Sequence, residues 1–317
     1  MSGLAGRGSA AYVEPMANTA GVAAISGWLK PALWIPWRDG GGRPSALHGV
    51  TFLALILPGA WIATLWALGD YQPRSVNTVI HETGLWAIRI LFVSLAITPL
   101  RQMLRMPKLL TVRRMIGVTA FAYVAIHLLL YALDESFDLQ KVATEILVRY
   151  YLLIGFCALI LLGVLAATST AKSIRRLGGP HWRNVHRLVY GAAVLAVAHH
   201  FMQSKVDVSE PTIMTGLLIW MMLYRLTARG AAPPLPALLA MAAAATALTV
   251  ASEAAYYGLF TGIDAMRVLQ ANLIPPWEQA RPAWKVLAIL VGTILAATAW
   301  RRFGARRTGA RSGAAHQ

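Results

Sequence analysis

RRMIGVTAFAYVAIHLLLY, residues 113–131, decides how this chain is read. Two arginines open the segment, and the run behind them holds no charged side chain, only one histidine, His127. A bilayer core needs about 20 apolar helical residues to be crossed. The run is therefore a membrane helix that starts at a basic loop and carries an imidazole in its far half. Ionisable groups are costly at that depth and mark function.

The same pattern recurs along the chain. Apolar stretches at residues 46–68, 84–101, 115–133, 149–169, 185–202, 211–228, 234–257 and 283–300 predict eight spans. The 317 residues are 57% hydrophobic and 13% charged, with a mean hydropathy of +0.55, which excludes an ordinary soluble domain. Run length and Leu/Ala richness favour helices over barrel strands. The fold class is all-α and polytopic. The prolines of PPLP, Pro233 to Pro236, divide a six-helix bundle from two extra C-terminal spans, and no internal repeat is visible. Three regions follow: a cytoplasmic tail at 1–44, a helical core at 45–228 and an extension at 229–317 that ends in a basic tail. In the first region the segment WLKPALWIPW, Trp28 to Trp37, suits the headgroup interface, where Trp collects.

The formal net charge of +16 does not point to nucleic acid. Its cations fall in short clusters between apolar runs: Arg101 to Arg114, Lys172 to Arg187, Arg225 with Arg229, and Arg301 to Arg307. In an eight-span count all four lie on one side, which the positive-inside rule makes cytoplasmic, with both termini. Asp70, Glu82, Asp134, Glu135, Asp138, Glu145, Asp207, Glu210, Asp264 and Glu278 then face outward. The single cysteine, Cys157, rules out an intrachain disulfide or a CxxC motif and reads as a small core residue.

HRLVYGAAVLAVAHH, His186 to His200, adds imidazoles at both ends of the fifth span. The third and fifth spans both start at the basic side, so His127 and the His199/His200 pair reach the same outward depth. One bis-histidine heme requires that arrangement. At about 1.5 Å per residue, His186 is about 20 Å deeper than His199 and cannot share that iron. Residues 113 and 114, at the matching depth on the third span, are arginines, which suit propionates, phosphates or headgroups and not axial ligation. One heme or two therefore stays open. On an ideal helix His200 lies about 40° from His186 and His199 about 140° away, so undistorted geometry favours His200 and a local kink restores His199. His48, His81 and His316 read as interfacial or satisfied side chains, and His181 as solvated in a basic loop.

Three collinear strings, ITPLRQMLRMPKLLTVRRMIGVTAFAYVAIHLLLY (Ile97 to Tyr131), ATSTAKSIRRLGGPHWRNVHRLVY (Ala167 to Tyr190) and VLAVAHHFMQSK (Val194 to Lys205), resemble the MsrQ (YedZ) family of heme-binding membrane subunits. That family is one of the ferric-reductase-like transmembrane domains, and the resemblance covers about residues 45–228. It implies b-type heme, one or two, with FMN reported for the family, in a multi-pass subunit of the bacterial inner membrane. It implies electrons passing from the quinone pool or a cytoplasmic flavin donor to a periplasmic molybdopterin-dependent methionine sulfoxide reductase. The chain would be an electron-transfer subunit and not the catalytic one. The family's heme ligands fall on His127, His186 and His199, and His81 in IHETG also matches a family histidine; Val197 and Ala198 stand where relatives carry a bending proline, which keeps His200 open.

Other functions have weaker support. A self-contained ferric reductase or oxidase needs a nucleotide-binding flavoprotein domain, and no GxGxxG follows a strand. A transporter would use Arg89 and Glu253 along a polar path, but no pair of broken helices recurs in two halves. A scaffold without heme is the remaining alternative. Arg89 is read as a propionate partner, Arg113 and Arg114 as anion partners on the basic side, and Asp134 to Glu145 as a docking surface for the acceptor.

Overall fold

The computed structural model describes residues 37–38, 42–204, 207–228, 230–274, 277 and 279–313, with side chains as far as residue 303. The tail before Trp37, Arg229, Glu278 and His316 lie outside the described residues. The described residues form helices α1 (Ala46–Leu68), α2 (Ser75–Leu104), α3 (Leu109–Asp134), α4 (Leu139–Val148), α5 (Tyr150–Ala167), α6 (Ala171–Leu177), α7 (Gly179–His186), α8 (Leu188–Gln203), α9 (Ser209–Thr227), α10 (Leu235–Tyr256), α11 (Ala265–Ala271) and α12 (Pro282–Gly313). A π turn at Tyr257–Thr261 extends α10.

Among the described residues six helices are long and apolar enough to cross a membrane: α1, α2, α3, α5, α10 with its π turn, and α12. The expected count of eight is not confirmed, because the fifth and sixth expected spans fall short in length or are more polar. The fifth expected span breaks at Arg187, whose N–H bonds the Asn184 carbonyl three residues back, so α8 keeps only 16 residues. The sixth, α9, carries Ser209, Glu210, Thr212 and Arg225 among its 19 residues. Both pack among the longer helices, α8 on α5 and α9 on α10 and α12. The second expected span begins early, at Ser75, so His81 is part of α2 and not of a loop before it.

α2 is the central helix. In its most apolar 18-residue window 56% of residues are buried, against 17% in α1, which leaves Leu53, Leu57 and Trp61 to face lipid. Lipid tails are as apolar as Leu, so close packing and polar contacts hold such helices together. Two prolines show how. Pro99 in α2 has no N–H for the Leu95 carbonyl, and Arg225 of α9 supplies the missing donor while stacking over Tyr190. Beside Pro58 in α1, the Tyr123 hydroxyl enters the helix ladder, accepting from the Gly59 N–H at 2.8 Å and donating to the Leu55 carbonyl at 2.9 Å.

At PPLP, Pro234 is extended (ψ 156°) and caps α10. The extension is nevertheless continuous with the core. Leu238, Val286 and Ile294 belong to the same buried cluster as Leu95, Ala120 and Ala192. At Gly216 of α9 an added Cβ would stand 2.2 Å from the Thr249 hydroxyl and 2.9 Å from Val286, so only glycine lets α10 and α12 come this near. Cys157 is exposed, which corrects its reading as a core residue. The inward stripe of α5 runs through Ala158, Leu162 and Leu165, and Cys157 sits one step off it.

Candidate heme site

α3 and α8 bring two histidines together. The rings of His127 and His199 have their centres 6.5 Å apart and are inclined at 83°. Each Nδ1 lies 2.8 Å from a backbone carbonyl oxygen, His127 from Ile80 of α2 and His199 from Tyr151 of α5. A carbonyl only accepts, so each Nδ1 carries the proton and each Nε2 keeps a free lone pair. This is how protein-bound imidazoles are oriented toward a metal. Two imidazoles that bond one iron from opposite sides, with metal–nitrogen bonds of about 2 Å, have ring centres about 6 Å apart.

The close approach depends on two glycines. A Cβ on Gly84 would stand 2.9 Å from Nδ1 and Cε1 of His127, and one on Gly155 would stand 2.8 Å from the same atoms of His199. In both places the glycine follows the accepting carbonyl by four residues: Ile80 and Gly84 on α2, Tyr151 and Gly155 on α5. Each imidazole thus lies across one helical turn whose upper step has no side chain. The arrangement repeats although no repeat is visible in the sequence. These four residues escaped sequence reasoning, and only the glycine of IHETG left a trace.

A cavity of about 960 Å³ adjoins the pair. It lies at the upper end of the roughly 300–1,000 Å³ usual for ligand sites. Ile88, Leu91, Val124, Leu159, Leu162 and Ala196 wall it, and Arg74, His81, Asp134, Lys141, Glu145 and Arg149 stand toward its charged end. The donor set fits a bis-histidine heme: two prepared Nε2 atoms, an apolar wall and Arg74 toward the charged end for a carboxylate, Lys141 and Arg149 being paired with Glu135 and Glu145. His200 lines the same cavity, and its buried Nδ1 has no hydrogen-bond partner. His199, not His200, therefore faces His127, contrary to the ideal-helix expectation, because the break at Arg187 removes the phase relation to His186.

The other candidates are placed elsewhere. His186 is on α7, its ring stacked 3.9 Å from that of Trp182, with Nδ1 at 3.1 Å from the Trp182 carbonyl and Nε2 at 3.4 Å from the Ser169 hydroxyl. Arg89 is engaged by Glu210 at 2.7 Å and lies over Trp86, and it is not among the residues lining the cavity. Arg113 is half-buried and Arg114 exposed, both at the basic start of α3. His181 is exposed and His48 is buried beside Ser45, in line with their bland readings. Glu253, the second transporter residue, is buried and paired with Arg281 at 2.7 Å and Asn272 at 2.9 Å. Among the described residues no group of three or more His, Cys, Asp or Glu side chains is placed to hold a metal ion.

Residues 83–197 match the family model of the ferric reductase like transmembrane component. The chain is similar to the protein-methionine-sulfoxide reductase heme-binding subunit MsrQ of Caulobacter vibrioides, 39% identical over 58% of this chain and 90% of the relative. It is also similar to the MsrQ of Rhodospirillum rubrum, 42% identical over 55% of this chain and 85% of the relative. The MsrQ of Azospira oryzae is 35% identical over 60% and 84%. No solved structure matches.

Proposed function

The chain belongs to the family of protein-methionine-sulfoxide reductase heme-binding subunits, MsrQ, and from that premise we propose that it is a membrane electron-transfer subunit whose b-type heme is held by His127 and His199. The observation that carries this reading is the pair itself, 6.5 Å between ring centres with both Nδ1 atoms committed to carbonyls. When bound, heme iron supplies one-electron transfer by changing oxidation state.

The chain's own residues do the rest. Ile80 and Tyr151 hold the tautomers, Gly84 and Gly155 let the rings settle into their helices, and the apolar wall from Ile88 to Leu162 keeps water from the iron. Arg74 offers a cation to the carboxylates of the ring system, Lys141 and Arg149 being paired with Glu135 and Glu145. At the basic end, Arg113, Arg114 and the arginines of α6 and α7 suit the phosphate of a cytoplasmic flavin donor such as an FMN carrier, and the alternative donor is the quinone pool. That end is cytoplasmic by the positive-inside rule, in the inner membrane of a bacterium. The acceptor is the periplasmic molybdopterin-dependent subunit that reduces methionine sulfoxide, docking at the acidic end.

The test is a reduced-minus-oxidised visible spectrum with a hemochrome count on purified protein. The His127 and His199 pair accounts for one low-spin heme per chain. His127→Ala and His199→Ala should each abolish it and His200→Ala should retain it. A six-coordinate spectrum surviving in His127→Ala would sink the assignment, and a second heme lost only in His186→Ala would assign the inner histidine as well.

A further inference from the structure

The second cavity, about 330 Å³, is at the basic end, where the last turn of α2 (Arg101, Gln102), Arg105, the link at Gly230 and Arg301 of α12 meet. Three guanidinium groups surround it. Among the described residues the ion pairs, Arg89–Glu210, Lys141–Glu135, Arg149–Glu145 and Arg281–Glu253, include none of the three. Arg101 Nε and Gln102 Oε1 are buried without a hydrogen-bond partner, although Gln102 Nε2 donates to the Gly230 carbonyl at 3.3 Å. The Tyr224 hydroxyl, on a fully buried side chain within electrostatic reach of Arg101 and Arg301, is also unpartnered.

Helix C-termini attract cations, which is the bland account of these arginines. A terminus carries only about half a negative charge, however, so the end of α2 cannot offset three guanidiniums. The Arg101 Nε donor without an acceptor, beside three cations that repel one another, marks a missing anion. The fork of a guanidinium matches tetrahedral phosphate, and basic pockets between helices on this side of a membrane suit phospholipid headgroups.

We propose that this pocket binds a phosphate group through Arg101, Arg105 and Arg301, and thereby fastens α12 to the inner end of α2. Arg301 lies beyond the stretch that matches the family model, so the extension completes a site that the matched region lacks. The inference is independent of the heme. Phospholipid headgroup and free phosphate share the chemistry, and the experiment separates them.

Full-length, delipidated holoprotein in a neutral detergent is titrated with phosphatidylglycerol, phosphatidylcholine or inorganic phosphate, with bound lipid counted by native mass spectrometry and Tm followed by scanning fluorimetry. Arg105→Gln and Arg301→Gln are compared with wild type, and Arg301→Lys keeps the charge. Losing one charge-assisted contact should weaken binding about tenfold. One saturable phosphatidylglycerol, weakened in both Gln variants and restored in Arg301→Lys, identifies the lipid. A Tm rise with inorganic phosphate that the Gln variants lose, without preference for phosphatidylglycerol, identifies soluble phosphate. Identical responses of wild type and both Gln variants to all three probes overturn the proposal. Arg105 is exposed, so its variant reports even if Arg301→Gln fails to fold.

Discussion

Single residues determine how tightly the histidine pair is held. Gly84 is the sharpest case, because alanine there would put a methyl group 2.9 Å from the His127 ring. The ring would swing off the Ile80 carbonyl. Removing such an outer contact typically costs about 10–100-fold in metal affinity, so Gly84→Ala should lose heme in a titration of the apoprotein while its helical circular dichroism persists. An unchanged affinity would show that the groove on α2 is not needed. The histidines themselves were legible in the sequence, since depth follows from residue count along a helix. Their supports were not, because a carbonyl on a neighbouring helix leaves no mark in composition.

Contacts between elements yield two expectations. Arg225 of α9 serves the Leu95 carbonyl left open by Pro99, so Arg225→Leu should cost about 1–3 kcal/mol, the usual penalty for an unsatisfied buried polar group. Its thermal midpoint in detergent would report that loss, and Arg225→Lys should recover part of it. At the acidic end, α4 is tied to α3 by the Tyr131 hydroxyl donating to Glu145. That hydrogen bond, aided by Arg149 and Lys141, holds the Glu145 carboxyl below its ordinary value. A depressed folded pKa stabilises above the unfolded value of about 4.3 and ceases to do so as pH falls through the folded value. Wild-type Tm should therefore drop more steeply than that of Tyr131→Phe as the pH is lowered below about 5, and parallel curves would remove the claim. The sequence located α3 and PPLP well because runs and prolines are local signals. It ran the fifth expected span through Arg187, because the apolar run from Leu188 follows directly on a basic helical segment and hydropathy does not report a break in the backbone.

Over the whole molecule the charges divide into a basic and an acidic end, and the structure changes what the acidic end can offer. Glu135 is paired with Lys141 and Glu145 with Arg149, while Asp138 caps α4 by accepting from the Lys141 N–H. Asp134 is exposed and enters none of these contacts. Asp134→Lys is thus the variant that should slow electron delivery to a periplasmic partner without altering the heme spectrum, more strongly at low salt than high. A rate equal to wild type at low salt would rule out electrostatic docking there. Sequence alone determined that this is a helical membrane protein with imidazoles at matched depth, because hydropathy, run length and position along a helix are properties of one chain segment. Tertiary structure alone decided that His199 rather than His200 meets His127, that glycines four residues after the accepting carbonyls receive both rings, and that α12 brings Arg301 to the end of α2. Those outcomes depend on which helix stands beside which and at what rotation, and lateral packing in an apolar solvent is set by small residues and polar contacts that hydropathy does not encode.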